Sequence, residues 1–434
     1  MNNEFWLLLF TWLIVIPYLI ACPPQLLFVR RKLRASRDRK MLEACSLKDT
    51  WQVPRRGAGS TASVTVGPTT PTVGSAAAAA AAGGGAGAGQ LPRWIIPKSS
   101  PVIVALVNRK SGGQLGATTT KMLHRLLHPA QIFDLADIPD VASILRSFTG
   151  SFKLLVCGGD GTVSWAMDAA TRCGIKPPMG ILPLGTGNDL SRTLGWGGGF
   201  GISDVSEDAV REVLVNMHRR SVLQPLDRWR LTITPKNGAP VVTKTMLNYF
   251  SIGVDAEISL KFHRERQDYP ERFSSQTKNV VKYAMLGFEA AFDGQALDNK
   301  VQISCEGKRL NLEPGWKGAI ISNVPFYHGG KNFWGESEDI HDTFGPSQID
   351  DGTLEAMGLA GTFHIGLCNI KVDSALRVGQ GATMMVDMDD DCAVQVDGEP
   401  FPQPPCTIVF TKIDQYTMLR VDADKAAARW LPWR

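Results

Sequence analysis

From Pro101 the chain alternates short apolar runs with helical stretches. The runs VIVALVN (102–108), QIFDL (131–135), KLLVCGG (153–159) and MGILPLG (179–185) are nearly continuous in Val, Ile and Leu, the pattern of strands buried on both faces. TTTKMLHRLLH and TVSWAMDAATRCG between them read as helices, so this half predicts an α/β layer around a parallel sheet. The pattern then changes. RLTITP, LNYFSIGVDA, KVQISC, WKGAIISN, TLEAMGLAG, AVQVDGEP and CTIVF are short, β-rich and bounded by Gly, Pro or Asn, which predicts an all-β domain or sandwich.

Upstream, Phe5 to Val29 is a 25-residue run without a charge, and about 20 apolar residues suffice to span a bilayer as a helix. Pro17 kinks such a helix and Pro23-Pro24 break it, so Phe5 to Cys22 is the best-defined span. Arg30, Arg31, Lys32, Arg34, Arg37, Arg39 and Lys40 follow at once, opposed only by Asp38. The positive-inside rule then puts everything downstream in the cytoplasm. A signal peptide competes, but its positive n-region is missing. The basic block reads both as a topology determinant and as a patch for anionic lipid headgroups. From about Trp51 to Gln90 the chain is Gly, Ala, Ser, Thr and Pro, with seven alanines from Ala76 to Ala82, which reads as a tether without a core.

With 434 residues, 44% hydrophobic and 20% charged, the chain has material for two or three domains and is not globally disordered. A net charge of +4 is too small for a dedicated nucleic-acid binder. Its eight cysteines are scattered without zinc spacing, which disfavours a disulfide scaffold or a zinc module.

Three predicted strand ends carry glycine-rich turns: Asn108-Arg-Lys-Ser-Gly-Gly113, Gly158-Gly-Asp-Gly-Thr162 and Gly185-Thr-Gly-Asn-Asp189. Open α/β sheets bind ligands beyond the carboxyl ends of their strands, where glycine lets backbone N–H groups approach phosphate. Three such turns in succession predict a nucleotide site. There is no Walker A sequence, no G-x-G-x-x-G fingerprint and no protein-kinase motif pair, so the common phosphotransferase folds are disfavoured.

GGDGT at 158–162 followed by PLGTGNDLSR at 183–192 resembles the catalytic domain of diacylglycerol kinases. Leu226-Asp-Arg-Trp229, Asn248 to Ala256, Lys261-Phe-His263, Lys278-Asn279, Ile321 to Pro325, Asp351-Gly352 and Val396 to Pro400 resemble the accessory domain of the eukaryotic members. The resemblance implies a two-lobed α/β lipid-kinase fold: an N-terminal α/β nucleotide-binding lobe, a C-terminal β-rich, sandwich-like accessory lobe, and an active site between them. The expected domains are a transmembrane anchor (1–29), a basic juxtamembrane segment and disordered linker (30–95), a catalytic domain (96–225), an accessory domain (226–415) and a tail (416–434). The implied reaction is phosphorylation of diacylglycerol by ATP with Mg²⁺, giving phosphatidic acid, in a single-pass membrane protein. The cysteine-rich modules of many animal relatives are missing from this sequence. Where the family usually has proline in its first turn this chain has Arg109, expected to loosen the turn and add a phosphate contact.

For the ATP cradle the expected residues are Asn108, Ser111, Gly112, Gly159, Gly161, Thr162, Thr186 and Asn188. Asp160 and Asp189 are expected to meet magnesium, and Asp351 resembles the position at which bacterial members hold a structural magnesium. Two carboxylates compete for the role of base toward the lipid hydroxyl: Glu399, which matches the proton acceptor of bacterial members, and Asp160. The run Asp387 to Asp391 does not fit an EF-hand and reads as a solvated turn, and His263 and His328 read as structural. Kinases for other lipid alcohols and a silent lipid- or nucleotide-binding adaptor are the competing functions.

Overall fold

The computed structural model describes residues 38–48, 52, 91–98, 101–112, 115–138, 140–199, 205–269, 296–297, 300–312, 314–327, 329–335, 344–361, 364–365, 368 and 375–423. The four predicted strands form at Ile103–Val107, Ile132–Asp134, Lys153–Gly158 and Met179–Pro183, and all pair in parallel. Their side chains alternate between two cores. Val104, Leu106, Leu154, Val156, Met179 and Ile181 face the helices Val141–Ser147 and Asp160–Cys173. Ile103, Ala105, Val107, Leu155, Cys157 and Leu182 face Leu115–Leu126 and Glu207–Val215. Burial on both faces is why these strands lack polar alternation.

Two long strands, Ser221–Pro235 and Cys406–Val421, tie this lobe to the next. They pair antiparallel from Cys406↔Pro235 to Val421↔Ser221, with a register shift between Lys412 and Asp414. One end of Cys406–Val421 continues the parallel sheet through Met418↔Met179, while the other pairs with Met384–Met388. The expected boundaries at 225/226 and 415/416 therefore fall inside continuous strands. Residues 416–421, expected in the tail, are part of the fold, with Tyr416, Met418 and Leu419 buried.

The second lobe completes a β-sandwich. A six-stranded antiparallel sheet runs in the order Leu376–Gly381, Leu354–Leu359, Gly318–Ser322, Tyr249–Gly253, Cys392–Val396, Glu399–Gln403. Phe250, Ile252, Ile321, Ala356 and Val394 pack against Trp229, Ile303, Val386, Ile408 and Phe410 of the long sheet. In the expected strand segment LNYFSIGVDA the strand stops at Gly253, and Val254–Asp268 is helix.

The segment 30–95 also needs correction, because part of it is not linker. Residues 38–45 form a helix with Asp38, Met41, Leu42 and Cys45 buried, a helical spacing that sets the apolar three against Ile103, Val107 and Leu123. Buried Gln131 fastens this segment: its Nε2 donates to the Cys45 carbonyl at 2.8 Å, and its Oε1 accepts from the Leu47 amide at 2.8 Å. At the other end Trp94–Ile95 pairs with Phe148–Thr149, and Trp94 and Ile96 enter the core. No helix among the described residues is long and apolar enough to cross a membrane; the expected span at 1–29 lies outside them.

Candidate active site

The three glycine turns converge at the carboxyl ends of the parallel strands. Asn108 follows the first strand, and its Nδ2 donates to Thr162 Oγ1 at 3.1 Å, joining the first turn to the second. Its own Oδ1 accepts from the Lys110 amide at 3.1 Å, and its carbonyl from the Ser111 amide at 3.0 Å, which closes the first turn. Gly159 and Gly185 pack so closely that a Cβ on Gly159 would lie 3.2 Å from the Gly185 Cα. Gly159 is the N-cap of helix Asp160–Cys173 and makes no side-chain cap, leaving amide donors at the positive helix end. Asn188, in the left-handed region at φ 54°, donates from Nδ2 to the carbonyls of Gly185 and Gly198. Its Oδ1 is buried without a hydrogen-bond partner. The three turns form one cluster, in which Asn108 meets Thr162, Gly112 backs onto the Leu184 carbonyl and Gly159 onto Gly185 and Asn188; Asn188 is buried behind it and Thr186 is exposed at its edge. Arg109 is not part of it, because its guanidinium is turned away onto Asp134 and Asp137.

Asp160 and Asp189 are adjacent, the Asp189 amide donating to Asp160 Oδ2 at 2.9 Å. Asp189 Oδ1 accepts the amides of Gly329 and Gly330 at 2.9 and 2.8 Å, and its Oδ2 accepts the Tyr249 hydroxyl at 3.3 Å. A catalytic-lobe carboxylate is therefore gripped by three accessory-lobe donors. Burial, with the neighbouring charges of Asp189 and Asp397, pushes the Asp160 carboxyl up to about 8. Burial likewise raises Asp397 to about 6, against three amide hydrogen bonds that favour its charged form.

Glu399 stands across the cleft. It is exposed at the start of an edge strand, and its Oε1 lies 3.6 Å from where a Cβ would stand on Gly161. The accessory lobe thus presents a carboxylate directly over the second glycine turn. Asp351 is elsewhere: exposed, it accepts from the Thr353 amide and hydroxyl at 2.9 and 2.7 Å. Beside it, Gly352 donates to buried Asp227, which Lys412 neutralises at 2.7 Å. No group of three or more His, Cys, Asp or Glu among the described residues is arranged to hold a metal by itself. Asp160 is the carboxylate beside the glycine turns, an oxygen donor of the type that hard cations prefer.

Several residues with structural consequences at the site had no assigned role from sequence: Arg228, Tyr249, Asn323 and Asp397. Arg228 is buried and reaches Asp168 at 2.5 Å and Asp414 at 3.0 Å, latching the helix of the second turn to the long hairpin. Asn323 accepts from Trp229 Nε1 and donates to the carbonyls of Asp227 and Leu247, which explains why the LDRW and ISNVP segments belong together. All four lie in quoted motifs, but only the folded chain brings those motifs into contact. His263 pairs with Gln267 on an exposed helix face. The acidic run begins in the strand Met384–Met388 and only 389–391 leave it; Asp387 and Asp389 meet Lys236, and Asp390 meets Lys300. His328 lies outside the described residues.

The profile of the diacylglycerol kinase catalytic domain matches residues 102–220, and that of the diacylglycerol kinase accessory domain matches residues 245–400. Diacylglycerol kinase 1 of Arabidopsis thaliana is 35% identical over 337 residues, covering 76% of this chain and 46% of its own length. Diacylglycerol kinase theta of Homo sapiens is 35% identical over 325 residues, covering 71% and 33%. The chain thus spans half or less of the length of these relatives. A crystal structure of a diacylglycerol kinase from Bacillus anthracis, 17% identical, superposes with a TM-score of 0.44 over 74% of this chain and 97% of that one. Both domain profiles, in the order and positions of the two lobes, identify the chain as a member of the diacylglycerol kinase family.

Proposed function

We propose that the chain transfers the γ-phosphoryl group of ATP to the primary hydroxyl of diacylglycerol, giving ADP and phosphatidic acid. The observation that carries this reading is the Glu399 carboxylate poised over the glycine turn at Gly161. Phosphoryl transfer needs positioning, charge neutralisation and an acceptor for the hydroxyl proton. The turns 108–112, 158–162 and 185–189 offer backbone donors to the phosphates, with Asn108, Ser111, Thr162 and Thr186 as neutral side-chain donors. Glu399 takes the proton as the lipid oxygen bonds phosphorus and the β–γ bridge breaks toward ADP. Its exposure suits a substrate arriving from a lipid surface. Asp160, with Asp189 behind it, would hold Mg²⁺, which supplies charge neutralisation for the β- and γ-phosphates. Burial and the charge of Asp189 raise the Asp160 carboxyl, and a cation beside it would favour its ionised form. Asp351, closed on its own turn and flanked by the Lys412–Asp227 pair, has no part in the transfer.

The apolar run 5–29 is read as a membrane anchor with the body on the cytoplasmic side. The docked helix at 38–45 changes what the linker does. Residues 30–37 alone lie between the expected span and the docked helix, a reach of about 30 Å at most, which in this reading keeps the catalytic lobe close to the membrane. In that reading the exposed Arg39 and Lys40 of the docked helix stand near anionic headgroups.

The test is incubation of the purified protein with γ-labelled ATP and diacylglycerol, monoacylglycerol, ceramide or sphingosine in mixed micelles. Label in phosphatidic acid supports the reading. Label confined to another lipid, or to none, refutes it.

A further inference from the structure

Among the described residues no hydrogen bond or ion pair holds the Glu399 side chain, so its aim is inherited from the backbone that presents it. That backbone is a tight hairpin in which Val396 pairs with Glu399 across the two residues Asp397 and Gly398. Both have positive φ, 49° and 82°, as a type I′ turn requires. Pro400 follows and confines Glu399 to extended backbone. The Asp397 side chain turns back across the sheet. Its Oδ2 accepts the Leu247 amide at 2.8 Å, and its Oδ1 accepts the amides of Asn248 and Tyr249 at 2.7 and 3.1 Å. Its own amide donates to the Tyr249 carbonyl at 2.9 Å. The segment so gripped carries the tyrosine whose hydroxyl meets Asp189 in the third glycine turn.

We infer that Asp397 is a positioning residue for Glu399: by clasping the amides of Leu247, Asn248 and Tyr249 it locks the Asp397-Gly398 turn and holds the Glu399 carboxylate over the phosphate turns. The inference rests on the reading of Glu399 as proton acceptor. A carboxylate is required because all three partners are donors, and only an acceptor-only group satisfies them with both oxygens. Asparagine favours the left-handed turn at least as well, but it turns an NH₂ group toward one of the donors. Asp397→Asn therefore keeps the turn's preference and breaks the clasp. Gly398→Ala does the reverse. A Cβ there meets only the Tyr249 hydroxyl, 4.0 Å away, so the clasp remains while the positive φ is strained. The two variants loosen the same carboxylate by independent routes.

The test is a mutant cycle. kcat, KM for ATP and thermal midpoint are measured for wild type, Asp397→Asn, Gly398→Ala and Glu399→Gln, and for each of the first two combined with Glu399→Gln. A misplacement on the order of 1 Å costs about 10²-fold in rate, so each turn variant is expected to lower kcat by about 10- to 100-fold. KM for ATP should stay within about threefold, since that cost falls on proton transfer and not on nucleotide binding. Added to Glu399→Gln, either should cost less than about threefold more, because the carboxylate it positions is gone. A full multiplicative loss in that background, or normal kcat in both turn variants, overturns the inference. The base reading fails separately, if Glu399→Gln alone is nearly fully active.

Discussion

Replacing Asp160 by Asn tests the electrostatics of the site without nucleotide or lipid. The carboxyl of Asp160 is pushed up to about 8 by burial and by the charge of Asp189, against an ordinary value of 3.8. Between those values the unfolded chain has released a proton that the native state retains. Linkage then makes native stability fall as pH rises through that window, by at most about 1.4 kcal/mol per pH unit. Summed from pH 4 to 7 the ceiling is about 4 kcal/mol; the residual solvent access of Asp160 brings the measured value below it. Asparagine cannot titrate, yet its carbonyl can still accept the Asp189 amide now received by Oδ2. Urea unfolding of wild type and Asp160→Asn should be compared at half-unit steps from pH 5 to 8.5, with chelator and no ATP. The variant should gain on wild type as pH rises and the difference should level off above about pH 8. Parallel stability curves would refute the raised Asp160 carboxyl.

Gly159→Asp puts a side chain and a negative charge where backbone should meet phosphate; equilibrium binding of a fluorescent ATP analogue should weaken at least about tenfold while circular dichroism stays native. Arg228→Met removes the latch to Asp168 and Asp414 and should lower stability by about 1–3 kcal/mol, less than for a fully buried pair because both carboxylates keep some solvent; the urea midpoint reads it, and an unchanged midpoint would contradict the latch. Gln131→Leu strips the bonds that fasten residues 38–48, so tryptic cleavage at Lys40 and Lys48 should accelerate about tenfold or more. Deleting residues 1–37 should release the protein from carbonate-washed membranes while keeping that docked segment and micellar activity; a truncated form that stayed on washed membranes would refute the anchor.

The parallel half of the fold was legible because strands buried on both faces leave no polar alternation, as in VIVALVN and KLLVCGG. The docked helix at 38–45 was hidden by its own charges. Met41, Leu42 and Cys45 form a narrow stripe that directly follows the basic block 30–40, too short a run to show a helical period in the sequence. The helix Val254–Asp268 begins inside an apolar run that reads as strand, and its start depends on Gly253 at φ 86°, a backbone property with no periodic signature. The boundaries expected at 225 and 415 follow the ends of motifs, while the hydrogen-bonded ladder of the two long strands runs through both. At the site, the glycine turns were legible one by one, since each sits within a few residues of a strand end. The approach of Glu399 to Gly161 joins residues more than two hundred positions apart, through a hairpin that no local pattern orients. Arg109 sits in a glycine turn by sequence, and its partners Asp134 and Asp137 come from a different strand and the loop after it, which no local pattern connects.

The assignment of Glu399 as proton acceptor is tested most directly by Glu399→Gln, which keeps the side chain's shape and removes its basicity. ATP-analogue affinity and kcat on diacylglycerol should be measured on the same preparation. A lost general base lowers kcat by about 10²–10⁴, and because Glu399 belongs to the accessory lobe, ATP affinity should change by less than about threefold. Near-normal turnover, or a loss of ATP affinity that accounts for the fall in rate, would rule out Glu399 and return the role of base to Asp160.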